Sequence, residues 1–393
     1  MKTTRRVVQF GFLALVLVGV FVLGANCERW CPFGGVEAAY TYAEEGNMLC
    51  SLGVSNFFIL GGVLVMTILL RRAFCGYMCP LGTISEWLGV AVGWLGIPQA
   101  RITGTADRVL ALSKYAVLGA ILYYTAKASE LIFRGFDPCY ALISRHGEDI
   151  TVWAYVVAGT IVVVSLLTPV PFCRWFCPMA AVLNPFSRFG LTRVKREGSQ
   201  CKDCGLCAKN CPAAIPVDQM EEVTSARCIS CLSCIDACPR NGGATDSLSW
   251  GPPRMLGGSW PPAVLVVVLL LCTSVAVAAS YMFPMPSFIK SRDSRPETVA
   301  TVSMRIDDVT CRGRANLLFF FLDRDDAFEI PGYLKVEAWP GPGFSRVDIT
   351  FDPALADEQS VKQAITEPYI NSLTHVSRPS TFVIEGYDPL DID

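Results

Sequence analysis

The fold class that the sequence predicts is a membrane α-helical chain carrying two soluble segments, one rich in cysteine and one α+β. Three observations lead there. Of 393 residues 52% are apolar and 17% charged, with a mean hydropathy of +0.41, too apolar for a single soluble domain. Eighteen cysteines exceed what disulfides explain in a chain of this size, which points to metal. Roughly the last hundred residues alternate strand-like and helix-like periodicities. The net charge of −2 says nothing about partners, and no basic stripe suggests a nucleic-acid binder.

A bilayer core needs about 20 apolar residues in a helix. Residues 7–24, 54–70, 152–170 and 262–283 are four such runs, and 109–133 is a fifth, interrupted or flanked by Lys114, Lys127 and Glu130. About five spans are therefore expected. The apolar stretch 84–97 is shorter and reads as a helix lying at the interface. MKTTRR followed by a long apolar run without an A-x-A-like site reads as an anchor rather than a cleaved signal. Basic residues set the orientation. Lys2, Arg5, Arg6, Arg71, Arg72, Arg101, Arg108, Lys114, Arg188, Arg193, Lys195 and Arg196 all fall inside if the N-terminus is cytoplasmic, whereas Glu28, Glu37, Glu44, Glu45, Glu148 and Asp149 fall outside. Five spans then leave the C-terminus outside, in a multi-pass protein of a bacterial cytoplasmic (inner) membrane.

After the fourth run the chain reads CKDCGLCAKNCP and then CISCLSCIDACP. Both are C-x2-C-x2-C-x3-C-P, the spacing of bacterial ferredoxins with two 4Fe-4S clusters, in which the fourth cysteine of each motif reaches across to the other cluster. Cys201, Cys204, Cys207 and Cys238 are expected to hold one cluster, and Cys228, Cys231, Cys234 and Cys211 the other. Zinc is the alternative for paired C-x2-C motifs, but two identical quartets, each closed by proline, favour iron–sulfur.

Two shorter motifs, FCGYMCP and FCRWFCP, follow the second and fourth runs. In a helix, residues four apart share a face, so a helical C-x3-C aims both sulfurs the same way, and the following proline ends one helix or starts the next. Both runs descend to the cytoplasmic side. Cys75, Cys79, Cys173 and Cys177 together make four thiolates, enough for one further cluster or a zinc ion. On the outer side, Cys27 and Cys31 of CERWCP, with Cys50 and Cys139, make a second set of four. That set suits an outer-leaflet cluster, disulfides or a redox-active dithiol. Two arrangements near opposite leaflets suggest inverted repeats. Cys272 and Cys311 remain, and both read as structural.

The predicted organisation is therefore a helical region 1–198, a two-cluster ferredoxin domain 199–248, a fifth span within 255–285 and an outer domain 297–393, beyond a linker at 291–296. The outer domain reads β-α-β-β-α-β, a ferredoxin-like α+β order in which no cluster is implied: strands at 301–309, 333–339, 346–351 and 380–387, helices at 312–322 and 357–369. It resembles heavy-metal-associated domains, which carry C-x-x-C before the first helix. Here VTCRGRANL retains Cys311 and has Arg314 in the second thiol position, so a docking module is the favoured reading.

Span, C-x3-C-P, span, C-x3-C-P and a two-cluster segment together resemble the membrane polyferredoxins, the group containing NapH, the membrane part of NosR and the CcoG, RdxA and FixG proteins. The resemblance covers roughly residues 1–285 and implies electron transfer between the cytoplasm or quinone pool and a periplasmic acceptor or, in the CcoG type, copper reduction for metal-centre assembly. The outer domain, the absence of an N-terminal flavin domain and the additional CERWCP depart from that pattern. Redox partner proteins are expected on both sides of the membrane, with the chain a subunit of a redox complex rather than a stand-alone enzyme. A quinone site lined by Trp30, Trp87 and Trp175 is one alternative, and a copper-handling role for Cys311 and Met304 another. The two histidines, His146 and His375, lie far apart without a nucleophile setting, and no glycine-rich loop opens a helix after a strand. Hydrolysis and an own nicotinamide or flavin site are therefore not expected.

Overall fold

The computed structural model describes residues 2–22, 31–45, 55–128, 136–143, 151–241, 246–282, 286, 288–341, 343–370 and 377–387. It divides into two compact units, residues 1–35 with 58–280, and residues 36–57 with 281–393. Helix α1 is Lys2–Phe21, and α2, Pro32–Glu45, crosses the division. The first unit continues through α3 (Ser55–Leu70), α4 (Ala73–Tyr77), α5 (Pro80–Trp94), α6 (Gly104–Leu110), α7 (Ser113–Ala128), α8 (Pro138–Ile143), α9 (Val152–Leu167) and α10 (Pro178–Arg188). Strand β1 (Arg193–Arg196), the single turns α11 (Leu206–Lys209) and α12 (Ser233–Asp236), strand β2 (Leu248–Gly251) and the long helix α13 (Pro262–Met282) follow.

Among the described residues, two helical stretches are long and apolar enough to cross a membrane, Thr3–Phe21 and Pro262–Ser280. At the other expected spans, the described part of each helix is shorter. α3, α7 and α9 have 16 residues each, or about 24 Å. The run 109–133 is divided where a turn at Ala111 and Leu112 separates α6 from α7. α9 stops at Thr168, whose backbone is extended because Pro169 follows it and disfavours a helical conformation there. The stretch 84–97 falls largely within one helix. It belongs to α5, which packs along α9 with Ser85 Oγ 2.8 Å from Ser165 Oγ. The chain then turns at Gly96, where φ is +72°, and comes back, so that Gln99 Nε2 donates to Ser165 O at 2.9 Å and Ala100 N to Leu167 O at 2.8 Å. Ser85 and Ala100 thus meet the same end of α9.

The cysteine-rich segment is closed by β1 pairing antiparallel with β2, Arg193 opposite Gly251 and Arg196 opposite Leu248. It has no separate core. Val194, Cys207, Ile215, Leu232 and Trp250 share one hydrophobic cluster with Met66 and Leu70 of α3 and Leu265 and Leu269 of α13.

In the second unit, β3 (Phe288–Arg292), β4 (Ala300–Ile306), β5 (Leu334–Trp339) and β6 (Ser345–Phe351) form an antiparallel sheet in the order β3-β5-β6-β4. Helices α14 (Arg312–Leu322) and α15 (Glu358–Thr366) pack against each other, and Ile306, Leu318, Leu322, Val336, Ile349, Val361 and Ile365 are buried in its core. β7 (Tyr369–Ile370) and β8 (Ser377–Arg378) form a two-residue ladder. Two features differ from the sequence reading. The supposed linker contributes to an extra edge strand, β3. The expected last strand, 380–387, is reduced to one bridge, Ile306 to Ile384, flanked by backbone bonds from Asp307 N to Val383 O and from Glu385 N to Arg305 O. Pro379, immediately before it, supplies no donor.

Candidate metal centre

The two C-x3-C-P motifs have one backbone design, repeated 98 residues apart. They are not continuous helices, so the sulfurs are not presented four apart on one helical face. Cys75 lies within α4 and Cys173 within a π-helical turn, Phe172–Phe176. Cys79 and Cys177 break out with φ and ψ of −65° and 119°, and −65° and 116°. Each then donates its N–H five residues back, Cys79 to Phe74 O at 3.0 Å and Cys177 to Phe172 O at 2.9 Å. Pro80 and Pro178 open the next helix, where a missing N–H costs nothing. Cys79 and Cys177 are therefore N-cap residues, and free N–H groups at a helix start favour a negatively charged sulfur. Gly82 is required by this packing, since a methyl group there would lie 2.7 Å from Cys75 O.

Burial first, and then others of the four thiols, raise the thiols of Cys79, Cys173 and Cys177. Burial, then Cys75, push the Cys79 thiol up to about 12, against the N–H groups of Gly82 and Leu81. Burial and Cys75 push Cys177 up to about 11, against Ala180, Arg72 and Met179. Cys173 is raised by burial and by the other three thiols. Arg72 stands among them, 2% exposed. Its Nη2 is 4.0 Å from Cys75 Sγ and 3.3 Å from Cys173 O, and Nη1 donates to Asn184 Oδ1 at 3.1 Å. Burial opposes its charge, but Cys75, Cys177 and Cys173 outweigh that and raise its pKa. Arg72, Cys75, Glu86, Cys173, Arg174 and Arg227 line one cavity. Around it, Nε of Arg72, Arg174 and Arg227 are buried donors without a hydrogen-bond acceptor among the described residues. Buried unpaired donors are costly, and an anionic group with sulfide acceptors would satisfy them.

Sequence reasoning missed these cations as site residues. It read Arg5, Arg71, Arg72 and Lys114 as topology charges, yet all four are buried, as are Arg174 and Asp107. The signal was present in the paired arginines just before FCGYMCP and the arginine inside FCRWFCP.

The ferredoxin-type quartets repeat a second backbone design, 27 residues apart. Asp203 and Ser230 have φ of 49° and 48°, and Gly205 and Leu232, which cap α11 and α12, have φ of 66° and 57°. Cys201, Cys204, Cys207 and Cys238 line one cavity. Cys211, Cys228, Cys231 and Cys234 line another. Each cavity thus carries three thiols of one motif and the last thiol of the other. Cys204 is exposed and Cys207, Cys211 and Cys234 are buried, and burial with the neighbouring Cys231 pushes Cys211 up to about 12. Cys238 Sγ is 3.0 Å from Ser247 Oγ.

Among the described residues, no three His, Cys, Asp or Glu side chains converge as ligands of one ion. A set of four thiols lining one cavity is a ligand set that would suit a polynuclear iron–sulfur group. Of the outer set, Cys31 directly precedes α2 and Cys139 lies in α8, whereas Cys27 and Cys50, like Trp30, His146 and His375, lie outside the described residues. In the second unit Cys311 is the N-cap of α14. Arg314 is turned back onto the loop, donating to Asp308 O at 3.2 Å and Thr381 Oγ1 at 2.7 Å, and Met304 is part of the core.

Eight thiols around two cavities and four more around buried arginines define an iron–sulfur protein. A family model described as a 4Fe-4S binding domain matches twice, at residues 52–98 and 150–197, and one for a 4Fe-4S dicluster domain matches residues 193–239. The double match coincides with the repeated helix, C-x3-C-P and helix. The putative electron transport protein YccM of Escherichia coli is 30% identical over 230 residues, 56% of this chain and 63% of YccM. The uncharacterized protein MJ0750 of Methanocaldococcus jannaschii is 30% identical over 213 residues, 54% of this chain and 84% of MJ0750. The ferredoxin-type protein NapH of Haemophilus influenzae is 28% identical over 252 residues, 60% of this chain and 85% of NapH. No solved structure matches. The chain belongs to the membrane polyferredoxin-like family of 4Fe-4S proteins.

Proposed function

We propose that this chain carries electrons through iron–sulfur clusters between a cytoplasmic donor and an acceptor outside the cytoplasmic membrane, with redox partner proteins on both sides. Cys201, Cys204, Cys207 and Cys238 hold the distal 4Fe-4S cluster. Cys228, Cys231, Cys234 and Cys211 hold the proximal one. Cys75, Cys79, Cys173 and Cys177 hold a third, at the inner membrane edge, and Cys27, Cys31, Cys50 and Cys139 an outer-leaflet centre. Bound clusters supply one-electron chemistry; the protein supplies order, charge and exclusion of water. The exposed thiol Cys204 marks the distal end as the point of entry. The proximal loop lies against the membrane-edge motif, with Ser230 Oγ donating to Leu70 O at 2.7 Å and Tyr77 Oη to Ser230 O at 3.4 Å. Arg72, Arg174 and Arg227 offset the anionic charge of a cluster on four thiolates. The outer unit, a split β-α-β arrangement with an added edge strand, serves as the docking module for the acceptor.

The observation that carries this reading is that Cys75 and Cys173, the first thiols of the two repeats, line one cavity with Arg72, Arg174 and Arg227, and that Arg72 reaches both motifs. The test is iron and acid-labile sulfide per chain in protein purified without oxygen, with EPR of the reduced sample, repeated on Cys75→Ser. More than the roughly eight irons of two clusters, with one signal lost in the variant, supports it. Eight irons unaffected by the substitution would remove the membrane-edge cluster from the proposal.

A quinol-linked version has one structural observation in its favour. Trp87 stacks on Phe10 with ring centroids 6.5 Å apart and donates to Gln9 Oε1 at 3.3 Å, beside the carboxylate of Glu86. Glu86 is a proton acceptor where the sequence reading found no histidine. Electron flow unchanged by quinone extraction would sink this version.

A further inference from the structure

Two buried groups of opposite charge join the proximal cysteine loop to the two C-x3-C motifs, and they do so at equivalent positions of the repeat. Gly76 and Arg174 occupy the same place, directly after the first cysteine of each motif, and Tyr77 and Trp175 the next. On the first motif, Arg5 of α1 donates from Nε to Gly76 O at 3.1 Å and from Nη1 to Ser233 Oγ at 3.1 Å, while Nη2 pairs with Glu86. On the second, Asp107 of α6 accepts through Oδ1 from Arg174 Nη2 at 2.7 Å and Trp175 Nε1 at 2.8 Å, and through Oδ2 from Arg227 Nη2. Ser233 immediately precedes Cys234, and Arg227 immediately precedes Cys228. Each charge therefore holds a motif with one hand and a flank of the proximal loop with the other.

Gly76 brings the two loops into contact, since a methyl group there would sit 2.7 Å from Ile229 O. Arg5 is 6% and Asp107 3% exposed. Burying such charges does not by itself stabilise a fold and is best understood as a means of fixing position.

We infer that Arg5 and Asp107 are positioning residues that hold the Cys228, Cys231, Cys234 and Cys211 cluster at a fixed separation from the Cys75, Cys79, Cys173 and Cys177 centre. The inference rests on the function proposed above. The step served is the passage of one electron, by which one centre is oxidised and the other reduced by one electron, without atom transfer.

The experiment uses the full chain, purified without oxygen, as Arg5→Gln, Asp107→Asn and the double variant, with Arg5→Lys and Asp107→Glu as conservative partners. Iron and sulfide are counted first. EPR of the fully reduced samples then reads the magnetic interaction between the proximal and membrane-edge centres, and hydrogen exchange follows the amides around Cys228–Cys234. The expected result is unchanged iron, a weakened interaction in each single variant and its loss in the double variant. Exchange of the loop amides should be faster, with partial recovery in the conservative variants. Full iron with an interaction unchanged in the double variant would overturn the inference and leave the proposed function standing. Loss of the proximal iron would also overturn it, making the two residues part of that cluster's fold. A wild-type count of only eight irons would instead defeat the function proposed above, and this inference with it.

Discussion

At the scale of single residues, the ligands were legible and their electrostatic partners were not. C-x2-C-x2-C-x3-C-P names its sulfurs by spacing alone, and the cavities gather the thiols in the crossed order that the motif implies. Arg72, Arg174 and Asp107 look like ordinary loop charges in a sequence, because burial is a property of the folded chain. Leu232 shows the same division. Its motif equivalent is Gly205, and both adopt left-handed φ, which costs a residue with a Cβ about 1–2 kcal/mol. Yet Leu232 is 1% exposed in the core shared with α3 and α13, and truncating a buried leucine costs about 2–5 kcal/mol. The packing loss outweighs the relief of strain. Leu232→Gly should therefore destabilise the chain and speed cluster loss in denaturant, followed by bleaching of the iron–sulfur absorbance. Equal or slower loss would show that backbone strain dominates at this position.

At the scale of elements, periodicity found the helices and the strands of the second unit, because a side chain's face is set by its neighbours a few residues away. It misjudged lengths and ends, which depend on tertiary contacts. The limb after Pro80 folds back along α9 because Ser85 and Gln99 find partners there, residues far off in sequence. Strand β3 forms because β5 offers it an edge. Helix packing gives a sharp test. A methyl group on Gly62 of α3 would lie 2.6 Å from Ala276 Cβ of α13, whereas Gly61 has nothing within 4 Å. Close crossings of this kind depend on small residues. Gly62→Leu is expected to lower thermal stability in detergent by about 1–3 kcal/mol, with Gly61→Leu close to wild type. Equal effects at the two positions would mean that α3 and α13 do not pack as described.

At the scale of the whole molecule, the proposed topology makes a direct prediction. With the N-terminus and the cysteine-rich segment inside and the C-terminus outside, a reporter active only beyond the cytoplasmic membrane should be active when fused after Asp393 and silent after Gly257. The reverse pattern would invert the proposed path. The sequence by itself determined which cysteines group together in the two ferredoxin-type motifs, where the chain is apolar, and that strands and helices alternate near its end. Each of these is written in spacing or periodicity over a few residues. Only the tertiary structure decided how Cys75, Cys79, Cys173 and Cys177, already grouped by the sequence, are buried and surrounded. It alone showed that Arg72 stands among them, and that Arg5 and Asp107 bind the proximal loop to both motifs. Those contacts join residues that the chain separates by scores of positions, and only folding brings them together.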